Sequence, residues 1–280
     1  WVAALASRYD AGLRDYLGAT WPERTEPFDL ERYVFFNYTD GSSFTPVHDH
    51  LVEGDLVCIY YAHVAAHTPE RVERVDGSYY AMDDGILVVT MAQPPVNALT
   101  VQGWFDVAAA LNAVADNPAV KVVILRAEGK GFNAGVDIKE MQNTTGFDAL
   151  IGANKGCFAA FKAVYECAVP VIAAVNGFCV GGGVGLVGNA DIVVASDDAY
   201  FGVPEVNQGA LGAATHMARL VPQQMMRSLY FTAATIPATE LHRFGSIYRL
   251  VPRDELDAAA LTVAAEIAAK DGRVIRAAKE

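Results

Sequence analysis

Twice in this chain an apolar, β-favouring run ends in a cluster of glycines and gives way to a helical pattern. That repeated junction sharply limits the folds open to it. The first instance is Lys121–Ala127 (KVVILRA), followed by Gly129, Gly131 and Gly135. The second is Val169–Val175 (VPVIAAV), followed by Gly177, Gly181, Gly182, Gly183 and Gly185. The second run is apolar almost without interruption, the mark of a strand buried on both faces. Strands separated by helices and glycine-rich turns predict an α/β layer fold with parallel pairing. Three consecutive glycines at a helix start are entropically unfavourable. Their benefit is that backbone N–H groups stay uncovered, so an anionic oxygen can approach them along the helix dipole. The dinucleotide fingerprint, GxGxxG with an acidic residue about 20 positions on, is not met.

Further elements fit the same scheme. Ile86–Met91 reads as a strand closed by Gln93-Pro94-Pro95, and Ile192–Ser196 as another. Thr100 is placed to cap a helix running to about Asp116, stopped by Asn117-Pro118. Gly146–Glu166 is helical in pattern. Composition changes near the turn signal Asp83-Asp84-Gly85. Residues 1–83 carry 6 Arg and no Lys against 14 Asp and Glu, and the first lysine is Lys121. Two domains are therefore expected, a small acidic α+β segment at 1–83 and a larger domain at 84–280. In the first, Leu56–Ala65 alternates as a strand burying Leu56, Cys58 and Tyr60. The run EGDLVCIYYAHVAAHT with VDGSYYAMDDG loosely resembles the cone-shaped fold of SnoaL-like proteins, and a joined reading frame is the alternative. His48 and His50 would share one strand face, and His63 and His67 lie near, but no third ligand pattern closes a metal site, so no metal is expected.

The formal net charge is −12, which disfavours nucleic acid and anionic membrane surfaces as partners. No apolar run reaches the roughly 18 to 20 residues of a bilayer span. Cys58, Cys157, Cys167 and Cys179 show no CxxC spacing and read as inert core thiols in a reducing cytoplasm. The chain opens on Trp1, so a missing upstream segment is expected.

The phrases RAEGKGFNAGVDIKEM, PVIAAVNGFCVGGGVGL and DIVVASDDAYFGVPEVNQG resemble, in order and spacing, the crotonase (enoyl-CoA hydratase/isomerase) superfamily over about 195 residues. The resemblance implies a ClpP-like ββα superhelix core, incomplete at its C-terminus, and a homo-trimer or hexamer when full-length. It implies an acyl-CoA thioester as partner, with no cofactor beyond the coenzyme A of the substrate. It also implies that the amides of Ala134 and Gly182 form an oxyanion hole for the thioester carbonyl. Of the two glutamates that family hydratases use, one matches Glu205; the other falls on Gly185 and is absent. Asn133, Gly135, Asp137, Ile138, Gly181, Gly183 and His216 are the residues expected to line the substrate and CoA.

Within the superfamily, the stretches CFAAFKAVYECAVPVIAAVNGFCVGGGVGLVGNADIVVAS, PEVNQGALGAATHMARLVPQ and FTAATIPATELHRFGSI resemble an actinobacterial branch of steroid ring C/D degradation. That likeness implies hydrolysis of a carbon–carbon bond in a cyclic diketone acyl-CoA, with Glu205 as base toward water or acid toward the leaving carbon. Enoyl-CoA isomerisation or hydration through Glu205 alone is the second reading. A non-catalytic acyl-CoA-binding homologue is the third.

Overall fold

The computed structural model describes residues 85–280 throughout and, ahead of them, the strands β1 (Val72–Glu73) and β2 (Tyr79–Asp83). The chain divides after His63, and all that follows concerns the second unit. The expectations for Leu56, Cys58, Tyr60 and the four N-terminal histidines lie outside the described residues.

From Ile86 onward the chain runs β3 (Ile86–Met91), α1 (Val101–Asn112), β4 (Val122–Ala127), α2 (Ile138–Asn143), α3 (Asp148–Tyr165), β5 (Val171–Val175), β6 (Phe178–Val180) and α4 (Gly182–Val187). It continues with β7 (Ile192–Ser196), β8 (Tyr200–Gly202), α5 (Ala214–Met217), α6 (Gln223–Thr232), β9 (Thr235–Pro237), α7 (Ala238–Arg243), β10 (Arg249–Val251), α8 (Leu256–Ala268) and α9 (Gly272–Lys279). A seven-stranded sheet has the order β1-β2-β3-β4-β5-β7-β10, parallel from β3 to β10, and a small sheet has the order β6-β8-β9. β5 and β7 lie in the large sheet, and their successors β6 and β8 pair in parallel in the small one. The bridge of Asn133 to Cys179 repeats that step after β4. Each repeat is thus strand, turn, strand, helix, which is the expected ββα winding.

The turn Asp83-Asp84-Gly85 does not separate two folds. β2 pairs antiparallel with β3, Asp83 opposite Ile86, so the turn closes a hairpin and the large sheet begins ahead of residue 84. A turn signal between two strand-like runs fits a hairpin as well as a boundary, and the charge shift across it does not decide between them.

Local chemistry explains the helix starts. Thr100 Oγ1 accepts the Gly103 N–H at 3.0 Å and caps α1. The Asp137 side chain accepts the Lys139 and Glu140 amides and caps α2. One face of the sheet, with Ile86, Val122, Ile124, Ile172, Ala174 and Val194, packs on Leu256, Ala260, Val263, Ala264 and Ala268. The intervening residues Leu87, Val89, Val123, Leu125, Val171 and Ala173 are equally buried and point the other way by strand alternation. α1 packs along α3, with Trp104 fully buried. Among the described residues no helix is long and apolar enough to cross a membrane.

The segments leaving β4 and β5 cross in direct contact. A Cβ on Gly177 would stand 2.1 Å from the Lys130 carbonyl oxygen, and the residue has φ +52°. Gly177→Ala should therefore destabilise the protein by roughly 2 to 3 kcal/mol. The fall would be read as a lower urea midpoint at unchanged m-value; an unmoved midpoint would show that the crossing yields freely.

Candidate active site

The two glycine turns are sewn together through their backbones. The Phe132 amide donates to the Asn176 and Phe178 carbonyls, both at 2.8 Å, and the Val180 amide returns to the Asn133 carbonyl at 3.0 Å. A third segment braces the first of them. Asn97, buried and with φ 52°, donates through Nδ2 to the Glu128 and Gly131 carbonyls at 2.7 and 2.9 Å. Nothing in the sequence pattern marked this residue.

This stitching brings the two expected donors to adjacent backbone. A Cβ on Gly135 would lie 3.3 Å from the Gly182 nitrogen, and one on Gly182 would lie 3.4 Å from the Gly135 Cα. Gly182 opens α4, so its N–H has no acceptor inside the helix. Among the described residues no acceptor takes the Ala134 N–H. Trp104 closes the floor, with its Cη2 2.6 Å from where a Gly182 Cβ would be.

Other residues from the sequence reading have different tasks. Asn133 is fully buried; its Nδ2 donates to the Asn97 carbonyl at 2.5 Å and its Oδ1 accepts the Gly135 amide at 2.8 Å. It sets the turn from inside the fold, with no exposed surface to offer a ligand. Gly183 is likewise structural, since a Cβ there would meet the Asn133 carbonyl oxygen at 2.7 Å. Asp137 acts as the cap of α2, and Ile138 beside it is 58% exposed, free to meet a ligand at the rim.

Glu205 lies on the 3-10 turn Pro204–Gln208 and folds its carboxylate back against the glycines. A Cβ on Gly181 would lie 2.9 Å from Oε1, and one on Gly212 would lie 2.3 Å from Oε2. Both positions must be glycine for the carboxylate to fit. Oε2 is buried with no hydrogen-bond partner. Burial pushes the Glu205 carboxyl above the usual carboxylate range, against the smaller pull of its own and the Ala213 amides. Cys157 on α3 feels the same enclosure: burial first, then the Glu205 charge, pushes its thiol up to about 12. It is a half-buried wall of the site, not a nucleophile and not the core thiol expected.

Gly185 faces an aromatic ring. A Cβ there would lie 2.1 Å from Phe161 Cζ. Phe161 follows Cys157 by one helical turn on α3 and meets Trp104 edge-on at 5.7 Å and His216 at 4.9 Å between ring centroids. His216 Nδ1 pairs with Asn189 Nδ2 at 2.8 Å, and burial, then the Arg219 charge, lowers its pKa. Its backbone packs against Gly188, at the far end of α4 from the Gly182 amide. His216 thus backs the Phe161 wall and does not join Ala134, Gly182 and Glu205. The sequence carried one hint of Phe161 and Cys157, their i, i+4 spacing on a helix whose buried stripe is Ala153, Gly156, Ala160 and Ala163. No group of three metal-ligating side chains occurs among the described residues.

A half-buried carboxylate thus stands beside two paired strand–glycine–helix turns on a ββα frame. Residues 81–280 match the enoyl-CoA hydratase/isomerase family, and the chain belongs to it. Over 198 residues it is 68% identical to the (7aS)-7a-methyl-1,5-dioxo-2,3,5,6,7,7a-hexahydro-1H-indene-carboxyl-CoA hydrolase of Mycobacterium tuberculosis, covering 71% of this chain and 80% of that one. The protein of the same name from Rhodococcus jostii is 66% identical over 70% of this chain and 76% of its own. Among solved structures, human enoyl coenzyme A hydratase domain-containing protein 3 superposes with a TM-score of 0.68 at 31% identity, covering 72% of this chain and 81% of that one.

Two consequences are measurable. Because the fold disfavours the ionised form of Glu205, this group's contribution to stability is present at low pH and lost as pH rises through its raised pKa. Glu205→Gln should therefore melt higher than the parent at neutral pH, the gain vanishing in acid. Second, Gly185→Ala should destabilise the protein, and Phe161→Leu should relieve much of that loss. Additive effects in this double-mutant cycle would disprove the contact.

Proposed function

We propose that this chain hydrolyses a carbon–carbon bond in a cyclic diketone acyl-CoA, the reaction class its 68% identical relative is named for. The carrying observation is the Glu205 carboxylate, buried with one oxygen unpartnered beside the Gly181–Gly182 turn, facing a site that holds a phenylalanine where a second acid would stand. One base and a hydrogen-bonded carbonyl suffice for a retro-Claisen hydrolysis.

In this reading the thioester oxygen accepts hydrogen bonds from the Ala134 and Gly182 amides. Such donors are worth roughly 3 to 4 kcal/mol each in a transition state. Glu205 takes a proton from water, and the hydroxide adds to a ring ketone. The alkoxide collapses to a carboxylic acid, and the electrons of the broken carbon–carbon bond pass into the conjugated thioester as an enolate. Protonated Glu205 returns its proton to carbon. The net change is one water added and one ring opened. Phe161 and Cys157 supply an apolar wall for a bicyclic acyl group. The identity of the relatives supports a substrate among CoA-linked steroid ring remnants.

Mass spectrometry of the hexahydroindene-dione carboxyl-CoA incubated with the protein is expected to show a gain of one water, with fragments locating a new carboxyl group. A gain at a double bond would favour hydration, and unchanged mass would favour isomerisation or simple binding. Glu205→Gln should lower kcat by roughly two to four orders of magnitude with the fold kept. In the parent, kcat/KM should rise with pH to a midpoint above that of an ordinary glutamate, since the base must be ionised and burial raises its pKa. Near-normal turnover in the variant would move the chemistry to another group.

A further inference from the structure

The segments that carry the two amides are anchored at matching points. Gly129 lies five residues before Ala134, and Gly177 lies five residues before Gly182. One arginine and one aspartate reach both anchors. Arg253, at the start of the 3-10 turn Arg253–Glu255 ahead of α8, donates through Nη2 to the Gly129 carbonyl at 2.7 Å. Its Nη1 donates to Asp198 Oδ2 at 2.6 Å. Asp198 Oδ1 accepts the Ser196 hydroxyl at 2.5 Å, and the Gly177 amide lies beside this carboxylate. Asn176 Nδ2 closes the cluster on the Gly129 carbonyl at 3.1 Å.

We propose that the Arg253–Asp198 pair is a positioning clamp that sets the spacing of the Ala134 and Gly182 amides; this rests on the oxyanion-hole reading above. Three observations carry it. First, the backbone bonds of Phe132 and Val180 fix where the segments cross, and Asn97 holds the Glu128 and Gly131 carbonyls on either side of Gly129. Between those two points Gly129 has φ +86° and no atom within 4 Å of where a Cβ would be, so its own peptide is held through its carbonyl, by Arg253 and Asn176. Second, the two side chains are 41% and 43% exposed, where an ion pair adds little to global stability. Third, two donors act on one oxygen only within a few tenths of an ångström of their best distance, so a small swing at Gly129 would be felt at Ala134. Asp198 and Arg253 touch no reacting atom in this scheme; they act through the turns.

The test uses the full chain and an aryl-conjugated enoyl-CoA thioester, whose absorption band moves to the red when its carbonyl oxygen is polarised. Arg253→Ala is expected to bind this probe with unchanged Kd and to keep its urea midpoint. It should lose most of the red shift and lower kcat by roughly tenfold to a hundredfold at similar KM. Arg253→Lys, which can reach one partner at a time, should recover part of both. Should Arg253→Ala not fold, Asp198→Asn replaces it, with a smaller loss of red shift expected. A full red shift and parental kcat in whichever of these folds overturns the clamp alone. Absence of any red shift in the parent overturns the oxyanion-hole reading, and the clamp with it.

Discussion

The hydrogen bonds from one amide, that of Phe132, to the carbonyls of Asn176 and Phe178 hold together everything that concerns function in this molecule. They join the turn leaving β4 to the turn leaving β5 where both have left the large sheet. The crossing is so close that the glycines there serve chiefly by having no volume: a methyl group on residue 131 would strike the Phe178 ring, and one on 183 the Asn133 carbonyl. Asn133 and Asn97, both buried, fill the remaining hydrogen-bonding positions of this knot. The ββα winding follows, since the segment leaving β5 adds β6 to the small sheet before turning into α4, and the segment leaving β4 bridges to β6 at Asn133 before turning into α2.

Chemistry is then placed by exclusion. Glu205 fits only because residues 181 and 212 lack side chains, and the enclosure that admits it leaves one carboxylate oxygen without a partner. The same frame admits a second acid opposite if residue 185 bears one; here Phe161 fills that space from α3. In the proposed reaction, one base beside an aromatic wall faces the ring to be opened. Gly185 and Phe161 are one design choice expressed on two elements.

Much of this was legible in the sequence. The strands at Ile86–Met91 and Ile192–Ser196 have the expected ends, because apolar β-favouring runs bounded by turn residues leave little choice. The cap Thr100 could be read from residue type alone. What could not be read is long-range. The partner of Gly185 lies 24 positions earlier on another helix, and that of Gly129 lies 124 positions later. Periodicity reports which face of a helix is buried, not which ring lies against which glycine. His216, expected near the substrate from the resemblance, packs its backbone on Gly188 and its ring on Phe161. The turn at Asp83-Gly85 was visible as a turn, while the strand it pairs with depends on a register that composition does not encode.

The knot also governs where the chain tolerates a change of length. From Gly129 to Gly135 the chain is fixed at one end by Arg253 and Asn176, in the middle by Phe132 and at the other end by the Gly135 carbonyl, which accepts the Leu99 amide. One residue added or removed there would turn the Ala134 amide to another direction. Between α2 and α3, by contrast, Gln142–Asp148 are exposed, and a methyl group on Gly146 would meet no atom within 4 Å. Insertions and deletions can accumulate in that bridge while the spacing of the two amides stays as it is.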